Sequence, residues 1–418
     1  MKIACMVDEY PPYFLGGLGT YARELSRECT RMGHEITIFS RNRGADPLRD
    51  VCEGIEVHRP YLMNFTGVLP IVVPPDVQRW SSRGQEFFQE TLHYNFMAAS
   101  ELVNQLVRVE NRSYDIVVAH DWLSAMAGIM AKRNLNLPFV FHFHSSERGR
   151  TGNGSETIRE IERIAAQEAD RIITVSYAMR DELVRQGIRE NDIRVVYPGV
   201  DTHKYRPDIY TADEIRAIRD EIGVGRQPMI LYVGRLAWTK GVDSLIRAMP
   251  IIRSGVPDAK LVILGCGEEE QLLGHLVQCQ CADAVITNLS YVEEEERIRY
   301  YAACDVAVFP SKYEPFGLAA TEAMAMGKPV VVGGRGTSGM REQVICAGEH
   351  ACGFHINPND PADIATFTVR LLKDADLRAA VGRAARARVE EHFTWHLCAQ
   401  RTLEVYRGAI DVHRRATH

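Results

Sequence analysis

The sequence predicts an α/β protein made of two doubly wound domains, and three observations predict it. Short β-branched runs alternate with amphipathic helical stretches along the chain, the pattern of βα units around a parallel sheet buried on both faces. That rhythm pauses between Pro198 and Pro228 and then restarts. The length, 418 residues, exceeds what one hydrophobic core usually serves, so two domains of about 200 residues are expected.

In the first half, strands are expected over 2–7, 35–39, 115–120, 139–144, 171–175 and 194–197. Helices are expected over 18–32, 122–133, 156–169 and 178–186, with Gly33 ending the first in a left-handed C-cap. Residues 60–82, rich in proline and aromatics, read as an irregular insertion, followed by a helix near 84–109. The second half restarts with a strand at 229–233, and further strands are expected over 261–264, 284–287, 305–309 and 329–332. An amphipathic helix over 393–410 follows. The domains are therefore drawn as 1–205 and 206–392, with 393–418 a closing helix able to return to the first domain. No internal repeat is visible.

Composition narrows the function. The net charge is −6 and no lysine-arginine block is present, which argues against a nucleic-acid partner. No apolar run approaches the roughly 20 residues that span a bilayer. The opening MKIACMVDEYPP meets Asp8 too soon for a signal peptide. Most of the ten cysteines sit in apolar runs, as Cys5, Cys266 and Cys304 do, and Cys279-Gln280-Cys281 lacks C-x-x-C spacing. They read as small hydrophobes in a reducing cytoplasm.

Ligands of open parallel sheets bind beyond the carboxyl ends of the strands, so those ends hold the candidates. After the first strand, Gly16-Gly17-Leu18-Gly19 opens a helix whose amides favour an anion, although a tight turn explains it as well. It is not G-x-G-x-x-G, and Phe39-Ser40-Arg41 supplies no acidic residue for a nicotinamide nucleotide's ribose. After the seventh expected strand come Arg235 and Lys240, two cations before a helix and a plausible pyrophosphate clamp. After the strand DVAVFP comes SKYEPFGLAATEAMAMG. Glu314 precedes the helix and Glu322 lies inside it, a separation suited to two contacts along one ligand. Two first-half strand ends carry His120, Asp121 and Trp122, and His142, His144, Ser145, Glu147 and Arg148. His142 and His144 share a strand face, but spacing offers no further clustered ligand, so no metal site is expected. Asp374-Ala375-Asp376 reads as a helix cap.

Taken in order, GGLG, AHDW, YPGVD, VGRL…KG and Glu314-Pro-Phe-Gly-Leu-Ala-Ala-Thr-Glu322 resemble retaining glycosyltransferases of family 4, with their E-x7-E motif. The resemblance covers nearly the whole chain. It implies a GT-B fold, two Rossmann-like domains facing across a cleft, a nucleotide-sugar donor, and no metal or cofactor. Glycogen and starch synthases share GGL and HDW stretches, but usually carry a lysine two residues before GGL; here Phe14 and Leu15 stand there.

The resemblance implies roles. Glu314 would bind hydroxyls of the transferred sugar and Glu322 the ribose. Phe316, Gly317 and Leu318 would lie along the donor, the Gly317-Leu318 amides facing the pyrophosphate. Arg235 and Lys240 would neutralise phosphate, with Gly16 and Gly17 approaching it from the first domain. Tyr291 and Val292 would lie against the base, and His144 and Asp121 near the reacting sugar or acceptor. The expected activity is retaining transfer of a hexose, glucose favoured and UDP-linked, to a sugar or other hydroxyl acceptor. Rival readings are a glycogen or starch synthase proper, an epimerase or a pyridoxal-phosphate phosphorylase of similar fold, and a non-catalytic nucleotide-sugar-binding protein. Peripheral contact with a membrane stays compatible with the sequence.

Overall fold

A computed structural model of the protein describes residues 1–12, 16–44, 46–63, 73–152 and 154–417. The chain divides into two compact units, Met1–Val196 with Trp395–His418, and Tyr197–Thr394.

The first unit runs β1 (Lys2–Met6), α1 (Gly17–Arg31), β2 (Glu35–Phe39), β3 (Arg49–Cys52), β4 (Ile55–His58), α2 (Ser82–Ser100), β5 (Ile116–His120), α3 (Asp121–Leu135), β6 (Phe139–Phe143), α4 (Glu147–Thr151), α5 (Glu156–Glu168), β7 (Arg171–Thr174), α6 (Tyr177–Arg185) and β8 (Ile193–Val195). Among the described residues its sheet has the order β3-β4-β2-β1-β5-β6-β7-β8. Every neighbouring pair is parallel except β3 with β4. β5 and β6 are buried along their whole length, which is why they read as unbroken apolar runs. Gly33, at φ 81°, ends α1 as expected.

Two strands were not expected. β3 and β4 form a hairpin whose two-residue turn, Glu53-Gly54, takes positive φ at both positions (53° and 82°). That is the backbone of a type I′ turn, carried here by Glu-Gly rather than the stronger Asn-Gly signal. Of the insertion expected over 60–82, residues 64–72 lie outside the described residues. Helix α2 begins at Ser82, capped by Ser81 Oγ, and continues through a wider π-wound stretch over Glu101–Val109.

The second unit runs α7 (Ala212–Ile222), β9 (Met229–Val233), α8 (Val242–Gly255), β10 (Lys260–Leu264), α9 (Glu270–Gln280), β11 (Val285–Asn288), α10 (Glu294–Ala303), β12 (Val306–Phe309), α11 (Leu318–Ala325), β13 (Val330–Gly333), α12 (Met340–Gln343), β14 (Gly353–Ile356), α13 (Pro361–Lys373) and α14 (Ala375–His392). Its sheet is parallel throughout, in the order β11-β10-β9-β12-β13-β14. The short edge strand β14, opened by a glycine, escaped the periodicity reading. Asp374 caps α14 by accepting from Leu377 N–H at 2.9 Å.

The division falls at Val196/Tyr197, ahead of the boundary drawn at 205/206. The connector is tied to the second unit by hydrogen bonds. Val200 N–H donates to Phe393 O at 2.9 Å, and Arg386 holds the carbonyls of Thr202 and Tyr205. The last helix, α15 (Trp395–Thr417), belongs with the first unit and packs on α1, β6 and β7.

Within α3, Gly128 sits where a side chain has no room: a Cβ there would lie 2.5 Å from Phe139 Cε2 and 2.9 Å from Ala119 Cβ. Gly274 in α9 has nothing within 4 Å of the same position. Gly128→Ala should therefore cost about 1–3 kcal/mol through overpacking. Gly274→Ala should stabilise by about 0.5–1 kcal/mol through helix propensity. Chemical denaturation of the full chain measures both, and equal midpoints for the two variants would contradict the packing account.

Candidate active site

In the second unit the candidates follow the carboxyl ends of β9, β11 and β12. Beyond β9 the chain makes a short 3-10 turn over Trp238–Lys240, then passes Gly241 at φ 66° into α8. Gly241 is required twice over, since a Cβ there would also lie 2.1 Å from Pro310 O. Thr239 O accepts from the N–H groups of Lys312 and Tyr313, at 2.7 and 3.2 Å. This bond pins the β9 loop to the β12 loop. As a result Lys240 Nζ meets Glu314 Oε2 at 2.5 Å, in a half-buried ion pair. Glu314 is fixed further by its backbone: its N–H donates to Thr337 O at 3.1 Å and its carbonyl accepts from Gly339 N–H at 2.8 Å.

Gly317, at φ 107°, forms the N-cap of α11 and leaves the first amides of that helix without a side-chain cap. Such amides favour an anion. Phe316 departs from its expected place along a ligand. Its ring is 4 % exposed and packs against Tyr197 and Phe393, at centroid distances of 6.1 and 5.8 Å, so it is a core residue. Arg235 does not join Lys240 in one pair: it is exposed and its Nε donates to Glu268 Oε2 at 3.0 Å.

Glu322 occupies a separate polar cluster. Its Oε2 accepts from Tyr301 Oη at 2.9 Å, and its Oε1 lies 3.8 Å from Arg297 Nη2. Arg297 also donates to Val292 O at 3.1 Å and to Tyr205 Oη at 3.4 Å. One guanidinium thus joins the loop of Tyr291 and Val292 to Glu322. Tyr291 is exposed and Val292 is buried. Burial pushes the Glu322 carboxyl above its ordinary value, and Arg297, then Tyr301, pull against that shift. Sequence reading missed Arg297 and Tyr301, although their i, i+4 spacing on α10 was visible; the glutamate run around them reads as a solvated face.

In the first unit, Gly16 and Gly17 are exposed at the start of α1; Phe14 and Leu15 lie outside the described residues. Asp121, the first residue of α3, adopts φ 54°, a costly left-handed conformation for a residue other than glycine. It lets Oδ1 accept the N–H groups of His144 and Ser145, at 2.7 and 3.4 Å. His144 Nε2 lies 3.0 Å from His120 Nδ1, and the Tyr21 ring stands edge-on at 4.5 Å. Burial lowers the basicity of His144, with Asp121 opposing it. Where spacing offered no third clustered ligand, the sheet supplies one: β5 pairs with β6 so that His120 and His142 are register partners, and one ring nitrogen of each of His120, His142 and His144 lies within 4.8 Å of the others. His142 itself is buried, 1 % exposed.

Two family profiles match the chain: Glycosyltransferase Family 4 over residues 15–204, and Glycosyl transferases group 1 over residues 214–388. The chain is 31 % identical to an uncharacterised glycosyltransferase of Methanocaldococcus jannaschii, over 99 % of both chains. It is a member of glycosyltransferase family 4. This glycosyltransferase is also 30 % identical to a glycogen synthase of Mycobacterium tuberculosis, over 98 % of its own length and 95 % of that protein's. Its fold matches that of HepE from Anabaena, solved in complex with UDP and glucose, with a TM-score of 0.74 at 22 % identity over 98 % of this chain and all of the other. The two Rossmann-like units are those of a GT-B glycosyltransferase.

If Arg297 restrains the Glu322 carboxyl, Arg297→Met should raise its pKa further, seen by carboxyl-carbon NMR titration. The folded state would then bind a proton at a higher pH than the unfolded state. Stability should accordingly fall as pH rises from the unfolded carboxyl value, about 4.3, through the folded one, and the fall should reach higher pH in the variant. An unmoved titration would show that Arg297 does not act on Glu322.

Proposed function

We propose that the glycosyltransferase moves a hexose, glucose in the first instance, from a nucleoside-diphosphate donor to a hydroxyl acceptor with retention of configuration. The observation that carries this reading is the Lys240–Glu314 pair beside the uncapped start of α11. It sets a cation, a carboxylate and free helix amides on one edge of one sheet. A sugar diphosphate offers the matching groups: hydroxyls for Glu314, phosphate oxygens for Lys240 and the Gly317-Leu318 amides. The ribose falls to Glu322 and the base to Tyr291 and the Val292 backbone. Arg235 serves the phosphates after leaving Glu268, a small loss for an exposed pair. Of the first unit's residues, Gly16 and Gly17 are assigned to the donor phosphate, and Asp121 and His144 to the reacting sugar or acceptor.

In the reaction proposed, the bond from the anomeric carbon to the diphosphate breaks first, and negative charge grows on the leaving phosphate. Lys240 and the helix amides stabilise that charge, so the step needs no metal ion. The acceptor oxygen bonds to the anomeric carbon on the face just vacated, and its proton passes to the leaving phosphate oxygen. The protein's share is fixed electrostatics, already in place before the donor arrives.

The relatives bear on substrate class. The donor nucleoside is taken as uridine, since a protein of the same fold was crystallised with UDP and glucose. The acceptor panel begins with α-glucans, because a relative is a glycogen synthase. We place the activity in the reducing cytoplasm: the cysteines are free thiols, and no described helix is long and apolar enough to cross a membrane.

The test is a panel of nucleotide sugars scored by thermal shift, then by hydrolysis without acceptor. A bound donor at about 100 times its Kd should stabilise the protein by about 2.7 kcal/mol. Binding of a donor with neither hydrolysis nor transfer would favour the binding-protein reading instead. Lys240→Ala should lower turnover by about 10²–10³. Glu322→Ala should instead act on donor affinity, by about 1.5–3 kcal/mol, the value of a hydrogen bond to a charged group. Calorimetry finding equal affinities would remove Glu322 from the ribose.

A further inference from the structure

Three histidines meet where β5 and β6 end. His120 and His142 are each 1 % exposed, and His144 is partly exposed beside them. Such burial is costly unless every ring nitrogen has a partner. Most do. His120 Nδ1 lies 3.0 Å from His144 Nε2, and His120 Nε2 lies 3.4 Å from Cys5 Sγ. His142 Nε2 lies 3.0 Å from Tyr406 Oη. His142 Nδ1, in contrast, is buried with no hydrogen-bond partner among the described residues. A buried orphan nitrogen beside two further imidazoles calls for an occupant that accepts lone pairs.

We propose that His120, His142 and His144 form a binding site for a late divalent transition-metal ion of the zinc class. The ligand chemistry suits it: neutral imidazoles bind zinc, copper and nickel, and three protein ligands with one open position are a common zinc arrangement. The spacing is near what is needed. Two nitrogens on one tetrahedral zinc at ~2.0–2.1 Å stand about 3.3 Å apart, and the His120–His144 pair is at 3.0 Å. One ring nitrogen of each of the three histidines lies within 4.8 Å of the others. A shift of one ring by on the order of 1 Å completes the set.

The surrounding groups support the ligands as outer partners of metal-bound histidines do. Tyr406, from α15, orients His142, and Cys5, on β1, orients His120. The Tyr21 ring stands edge-on to all three imidazoles. All three ligands belong to the first unit, and the proposal does not rest on the transfer reaction proposed above.

The experiment uses the full chain, stripped with a chelator and titrated with Co²⁺ alone and then with Zn²⁺ alone. One Co²⁺ per chain should give the intense visible absorption of a four-coordinate ion, and Zn²⁺ should bleach it and raise Tm. His142→Leu should weaken Zn²⁺ binding by more than about 100-fold. Tyr406→Phe, which keeps all three ligands, should weaken it by about 10–100-fold. Should His142→Leu fail to fold, the wild-type Co²⁺ spectrum decides alone. Weak six-coordinate absorption, no stoichiometric binding, or undiminished binding by a folded His142→Leu chain would overturn the proposal.

Discussion

Parallel strand pairing is the constraint on which the rest of this structure depends. In a parallel sheet all strands end at the same edge, and every residue just past a strand is delivered there. Register does the finer work. Because His120 pairs with His142, residues 22 positions apart in the chain become neighbours, and His144 follows on the same face. The alternative, an antiparallel sheet, would scatter these ends over two edges. Burial on both faces then fixes the composition of β5, β6 and β9, which carry almost nothing but apolar side chains until their last residues.

The second unit shows how such an edge is made rigid. A backbone bond from Thr239 O ties one loop to the next, and glycines at 241 and 317 take positive-φ conformations that other residues adopt only at a cost. The charges are paired within the protein. Lys240 holds Glu314, and Arg297 with Tyr301 holds Glu322. Each pairing keeps a partly buried carboxylate oriented, where an unpaired one would be costly. In the reaction proposed above, the same pairing would hold Lys240 and Glu314 in place before a donor binds, which is where electrostatic catalysis finds its advantage.

The first unit is organised differently. Its polar groups are drawn inward, with Asp121 spending its carboxylate on the backbone of His144 and Ser145. The left-handed backbone of Asp121 is the local strain that this arrangement tolerates. Helix α15 returns to this unit and places Tyr406 against His142, so the far end of the chain helps set the position of an imidazole on β6.

Much of this was legible in the sequence. Alternating β-branched and amphipathic runs determined the parallel α/β class, because a strand buried on both faces must be apolar throughout. The glycines before α1, α8 and α11, and the charged residues after the strands, marked the candidate edge and the family resemblance. The β3–β4 hairpin and β14 were missed because short edge strands, one turned by Glu-Gly, carry little periodic signal. Only the tertiary structure decided the pairings. That Arg235 pairs with Glu268 and Lys240 with Glu314, that Phe316 is buried against Tyr197 and Phe393, and that His120 completes a trio of imidazoles depends on strand order and loop closure. Those are long-range relations, and local side-chain chemistry is indifferent to which distant residue the fold brings beside it.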